Sequence, residues 1–291
     1  SGARIHLVVD CLEHLRALSR AATALGTTYG VVIELDVSLR LPARIHVGVR
    51  RSPVRTPDDL VRVARAAASM AGVELRGVMA YEAHLAGVPD RSPFRPLLNP
   101  AVRLLKRLAA PRVAVLRQRA IGALRSEGFA LELVNGGGSG SLGTTLMDET
   151  VTEVTVGSAL FAPHLFDYYR SLGGLRPAAF FACQVVRASD PGYVTCHGGG
   201  LVASGEAGRD RLPAPWFPEG LELVRLEGAG EVQTPLRTRN ADLRLLPGDP
   251  VFFRHAKAGE LAEHFSEYLL VRGDRVVGRA PTYRGLGLSF L

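Results

Sequence analysis

The stretch Phe129-Ala130-Leu131-Glu132-Leu133-Val134-Asn135-Gly136-Gly137-Gly138-Ser139-Gly140-Ser141 decides how this chain is read. An apolar strand, residues 129–134, runs straight into glycines and serines. Glycine lets backbone N–H groups come close to an anion, and Ser139 and Ser141 add hydroxyl donors. A further strand at residues 151–156 ends the same way, in Gly157-Ser158. Successive strand ends that present Gly and Ser are the layout of a phosphate site at the C-terminal face of a parallel (β/α) barrel. A flexible surface loop is the alternative. The segment 138–143 matches GxGxxG in form, but only about ten residues separate it from the next strand, too few for a crossover helix and a later ribose-binding acid. No GxxxxGK[ST] segment occurs.

Working towards the N-terminus, strands alternate with helices. Residues 73–81 read as a strand, and residues 29–37 as a near-continuous apolar strand buried on both faces. Residues 4–9 form a short strand, followed by Asp10 as a helix cap. Thr56-Pro57-Asp58-Asp59 places a capping Thr, a Pro at the first helical position and acids in the first turn of a helix. An Arg-rich helix covers residues 100–126. The pattern implies a parallel sheet or barrel with right-handed crossovers. Polar residues gather at the strand ends: Glu34 and Asp36, then Tyr81-Glu82-Ala83-His84. In a barrel such positions face the active site. Each is otherwise a polar residue satisfied at a strand–loop junction.

After Arg176-Pro177 the pattern turns to short β runs with Gly and Pro turns, including a hairpin around Arg272-Gly273-Asp274-Arg275. We expect a (β/α) barrel portion over residues 1–177 and an all-β domain over 178–291. The densest polar run of the second domain is Arg254-His255-Ala256-Lys257-Ala258-Gly259-Glu260. On a continuing strand His255 and Lys257 would share a face; the run is otherwise a polar turn.

Of 35 basic residues only Lys106 and Lys257 are lysines, and the net charge is +7. The arginines are spread along the chain with no basic arm, so nucleic-acid binding is not expected. No apolar run approaches the roughly 18 residues of a membrane span, and the opening residues lack the apolar core of a signal peptide. Three scattered cysteines form neither a disulfide framework nor a metal knuckle, which makes the cytoplasm the expected compartment.

The order of motifs resembles the D-threonine aldolase and D-serine dehydratase-like branch of the alanine-racemase-fold (fold type III) pyridoxal-phosphate enzymes. The landmarks are Leu7-Val8-Val9-Asp10, Val32-Ile33-Glu34-Leu35-Asp36-Val37, Arg76-Gly77-Val78-Met79-Ala80-Tyr81-Glu82-Ala83-His84, residues 135–141, Glu153-Val154-Thr155-Val156-Gly157-Ser158, and Phe253-Arg254-His255. The resemblance implies a TIM-type barrel followed by a β domain, pyridoxal 5'-phosphate as cofactor, and a lyase of the aldolase or dehydratase type. Its substrate would be a small D- or β-hydroxy amino acid. Gly136, Gly137, Gly138, Ser139 and Gly140, with Gly157 and Ser158, would hold the cofactor phosphate. Tyr81 and His84 would act beside it.

His255 matches the histidine of the family's divalent-metal pair. The family's second ligand, Cys or Asp, is replaced by Lys257. A charged ammonium does not ligate a metal. No metal is therefore expected, with His255 the one candidate ligand. Lys257 would take the metal's electrostatic place and steady a substrate carboxylate or hydroxyl. Alternatively, it pairs with Glu260 or Glu263. Lys106 reads as solvated.

The family's Schiff-base lysine lies on the first barrel strand, whereas this sequence matches from the fourth. Five of eight βα units are counted, about 90 residues short of a typical barrel of about 250. A missing N-terminal segment or a second polypeptide is expected to complete the barrel, and apolar faces such as Val31-Val32-Ile33 are expected to lack their neighbours. A homodimer is compatible with this reading. Two other readings stand beside it. One is a non-catalytic pyridoxal-phosphate- or phosphate-binding protein without the lysine. The other is a metal-independent enzyme using Glu34, Asp36 and His84 on a phosphorylated substrate.

Overall fold

A computed structural model describes residues 3–188 and 190–288; the parts of the expected ranges 1–177 and 178–291 that fall on residues 1, 2, 189 and 289–291 lie outside these. The chain forms two compact units. The first comprises residues up to Asp90 with Arg95–Gly157, and the second comprises Arg91–Phe94 with Ser158 onward.

The first unit is built on five parallel strands in sequential order: β1 (His6–Val9), β2 (Tyr29–Glu34), β3 (Val73–Ala80), β4 (Leu133–Gly136) and β5 (Glu153–Val154). Helix α1 (Leu12–Leu25) ends on Gly26 in the left-handed region, whose N–H donates back to the last turn. Helix α2 (Pro57–Ala68) starts with the expected capping box between Thr56 and Asp59. The long helix α3 (Asn99–Ser126) buries Ala109, Val113, Ala120, Ile121 and Leu124 along one face. The sheet is open, and β1 is an edge strand with Val8 49% exposed. Contrary to expectation, Val31, Val32 and Ile33 are all buried within the unit. Strand β2 is paired on both sides and lies in the same apolar core as α1, α2 and α3.

Two strands differ from the sequence reading. The fourth begins at Leu133 rather than at residue 129, because Phe129 N–H still donates to Leu124 of the preceding helix. The shift carries Asn135 and Gly136 into the sheet, where Gly136 pairs with both Ala80 and Val154. The fifth shrinks to Glu153–Val154, since its only neighbour, β4, itself ends at Gly136.

The second unit holds a six-stranded antiparallel, barrel-like sheet: β6 (Phe181–Arg187), β7 (Tyr193–His197), β8 (Ala214–Phe217), β9 (Leu221–Leu223), β10 (Gln233–Thr238) and β11 (Pro250–Arg254), ordered β8-β11-β6-β7-β10-β9. Phe181 and Phe253 stack at 5.3 Å in its core. The expected hairpin forms from β12 (Glu267–Arg272) and β13 (Arg275–Pro281). Among the described residues no helix is long and apolar enough to cross a membrane.

Candidate functional site

The C-terminal ends of β3 and β4 carry a buried polar network in the first unit. Glu82, two residues beyond β3, is 1% exposed. Its Oε2 accepts from the Gly137 N–H at 3.0 Å and from Arg117 Nη2 at 3.1 Å. Its Oε1 accepts from Ser141 Oγ at 3.2 Å and from Thr145 Oγ1. Arg117, also 1% exposed, stands in the apolar stripe of α3; its Nη1 donates to Asp148 at 2.8 Å and its Nη2 to the Ala80 carbonyl at 3.1 Å. One guanidinium thus joins the end of β3, the Glu82 carboxylate that holds the glycine loop, and the turn after residues 142–145. Burial pushes the Asp148 carboxyl up, but donors from Thr150 and Arg117 outweigh it and hold it below the usual carboxylate range.

The loop after β4 is no solvent loop, since Gly136, Gly137 and Ser141 are buried. Gly137 has φ +82°, where a side chain is strained, and a Cβ there would lie 2.8 Å from Val154 Cγ1. The Gly137 N–H is committed to Glu82, and the Gly138 N–H to Ser141 Oγ at 3.1 Å. The helical turn Ser139–Ser141 follows, with the Ser141 N–H donating to the Gly138 carbonyl at 3.0 Å.

The structure brings Tyr81 and His84 to this loop's surroundings. A Cβ on Gly138 would meet the Tyr81 ring at 3.0 Å and Ala86 Cβ at 2.9 Å. The Arg51 guanidinium lies over the Tyr81 ring at 5.7 Å. His84 is buried with its Nε2 unpartnered among the described residues. Burial holds its imidazole below the usual histidine range, against the pull of Glu82 and Asp36. Burial likewise raises the Glu34 carboxyl. Asp36 accepts from the Ser38 N–H at 2.9 Å and pairs with Arg55 at 3.4 Å. Gly157 closes the first unit and Ser158 opens the second.

In the second unit His255 is fully buried. Its Nδ1 lies 2.6 Å from the Lys257 carbonyl, an acceptor, so Nδ1 carries the proton and Nε2 is the basic nitrogen. That Nε2 has no partner among the described residues. Lys257 Nζ donates to the Ser204 carbonyl at 2.6 Å and to its hydroxyl at 3.2 Å, where pairing with Glu260 or Glu263 was the expected alternative. Glu260 instead accepts from the Ser204 N–H at 2.9 Å. Two residues beyond His255, where the family's second metal ligand was expected, stands the Lys257 ammonium, and a charged ammonium does not ligate a metal. Among the described residues the one group of three converging ligand side chains is Asp10, Cys11 and His14, which does not include His255. Lys106, expected to be solvated, is largely buried and pairs with Asp90 at 3.6 Å.

Sequence reasoning passed over Arg117, Asp148 and Thr145. The available signal for Arg117 was its place in an otherwise apolar stripe, four residues from both Val113 and Ile121.

Comparison with known proteins agrees with this architecture. A D-threonine aldolase structure from Filomicrobium marinum superposes with a TM-score of 0.79 at 24% identity, covering 97% of this chain and 70% of that one. A D-threo-3-hydroxyaspartate dehydratase structure from Delftia sp. HT23 gives 0.65 at 20% identity, covering 92% of this chain and 69% of that one. A 3-hydroxy-D-aspartate aldolase of Paracoccus denitrificans is 25% identical over 258 residues, 85% of this chain; the chain spans 60% of that relative's length. The family described as "Alanine racemase, N-terminal domain" matches residues 1–164, and the chain belongs to it.

Proposed function

We propose that this protein is a pyridoxal-phosphate-dependent lyase of the aldolase or dehydratase type, acting in the cytoplasm on a small D- or β-hydroxy amino acid. The observation that carries the reading is the buried Glu82 carboxylate fixing a glycine loop at the strand ends of a chain in this family. The names of the relatives support the substrate class.

The residues present fit the phosphate end of the cofactor. The loop 136–141 is pinned by Glu82, and Ser139, which is part-buried, opens the turn that follows. When bound, the cofactor supplies an electron sink for carbanion chemistry at the substrate's α-carbon. The chain supplies the rest. Ser139, at the start of the turn, would hold the phosphate. The Tyr81 ring, steadied by Arg51, walls the site beside Gly138. His84, held by burial below the usual histidine range, offers an unpartnered Nε2 for proton transfer. His255 offers an unprotonated nitrogen in its own unit. No metal takes part.

The second reading is a binding protein without catalysis. Incubation with pyridoxal phosphate and 3-hydroxy-D-aspartate separates the two. Aldol cleavage yields glycine and glyoxylate in equal amounts, whereas dehydration yields ammonia and oxaloacetate. Tight cofactor binding with neither product pair leaves the non-catalytic reading.

A further inference from the structure

The loop's own donors are spent inside the protein, which raises the question of what they are spent on. Gly137 gives its N–H to Glu82, and so do the hydroxyls of Ser141 and Thr145. A carboxylate has about four acceptor positions. Glu82 fills them with four donors from three chain segments, the fourth being Arg117. Such a carboxylate has nothing left for a ligand, and at 1% exposure it does not reach one.

We infer that Glu82 is a positioning residue that sets the anion affinity of the glycine loop, working through Gly137, Ser141 and Thr145, with Arg117 as its counter-charge. The inference deepens the proposed function and rests on that reading of the loop. Gly137 keeps its left-handed conformation because its N–H is drawn back to Glu82. Ser141 and Thr145, held by the same carboxylate, fix the turn that begins at Ser139, so the loop is set in place before any anion arrives. Preorganised donors bind an anion without the cost of ordering the loop. The arginine sets its guanidinium against the carboxylate in a dry setting, and Asp148 on its other side fixes the guanidinium.

The chemistry of the carboxylate is what matters. Gln in place of Glu82 has the same shape but turns an NH2 towards hydrogen-bond donors. The variants are Glu82→Gln, Thr145→Val and Thr145→Ser, each made in the full chain. The measurement is equilibrium binding of pyridoxal phosphate against pyridoxal, which lacks the phosphate, with inorganic phosphate as a competitor. A general loss of packing weakens both ligands; a misplaced loop weakens only the phosphorylated one. Glu82→Gln is expected to cut the preference for pyridoxal phosphate about tenfold or more, as loss of hydrogen bonds to a charged group would. Thr145→Val is expected to cut it less, and Thr145→Ser, which keeps the hydroxyl, to restore it. If Glu82→Gln does not fold, the Thr145 pair decides alone. An unchanged preference in Glu82→Gln or, failing that, equal preference in Thr145→Val and Thr145→Ser overturns the inference while leaving the loop a phosphate site. A parent protein that binds both ligands equally overturns the loop assignment as well.

Discussion

Three histidines, His84, His164 and His255, are buried, and burial holds each below the usual histidine range of about 6.5. In the unfolded chain they take up protons near that value; in the folded chain they resist. Their contribution to stability is therefore complete above about pH 6.5 and is lost as the pH falls below it. The urea midpoint is expected to fall between about pH 7 and about pH 5, before the carboxylates titrate. His164→Gln, which keeps a donor for the Leu212 carbonyl, should flatten part of that slope. A midpoint independent of pH over this interval would mean that these imidazoles are not held neutral by the fold.

At the scale of elements, the decisive piece is α3. Its stripe of Val113, Ile121 and Leu124 makes it a core helix, and Arg117 interrupts that stripe to reach Glu82 and Asp148. Removing the guanidinium leaves two buried carboxylates facing each other. Arg117→Ala is expected to cost about 3–5 kcal/mol, measured by chemical denaturation. The double variant Arg117→Met with Asp148→Asn should recover part of that loss, because one stranded charge is gone. A single-variant cost under about 1 kcal/mol would show that the network carries no weight in the fold. This arrangement also explains what could be read in the sequence. The glycine loop and Tyr81-Glu82-Ala83-His84 stood out because each is local, a short run at a strand end. Arg117 was one of many arginines in an Arg-rich helix, and Asp148 and Thr145 lie in a turn with no motif of their own. They meet Glu82 only through the parallel topology, which brings distant residues to one sheet end. The start of β4 was misplaced for the same kind of reason, since residues 129–131 are apolar enough for a strand but are taken up by the end of α3.

At the scale of the whole molecule, the alternation of strand and helix and its change to short β runs were both legible, and the family is shown by residues 1–164. The first unit holds the loop with Tyr81, Glu82 and His84; the second holds His255 with Lys257 anchored on Ser204. A cavity of about 680 Å³ in the second unit, lined by Tyr193, Thr238 and Arg244, contains none of the candidate residues. The central claim is that the glycine loop of the first unit holds the cofactor's phosphate. The most direct test is a structure of the protein with pyridoxal phosphate bound, solved beside Gly138→Val, whose side chain would collide with Tyr81 and Ala86. The account predicts the phosphate against the turn that Ser139 opens and no bound cofactor in Gly138→Val. A phosphate bound away from residues 136–141, or full occupancy in Gly138→Val, would contradict it.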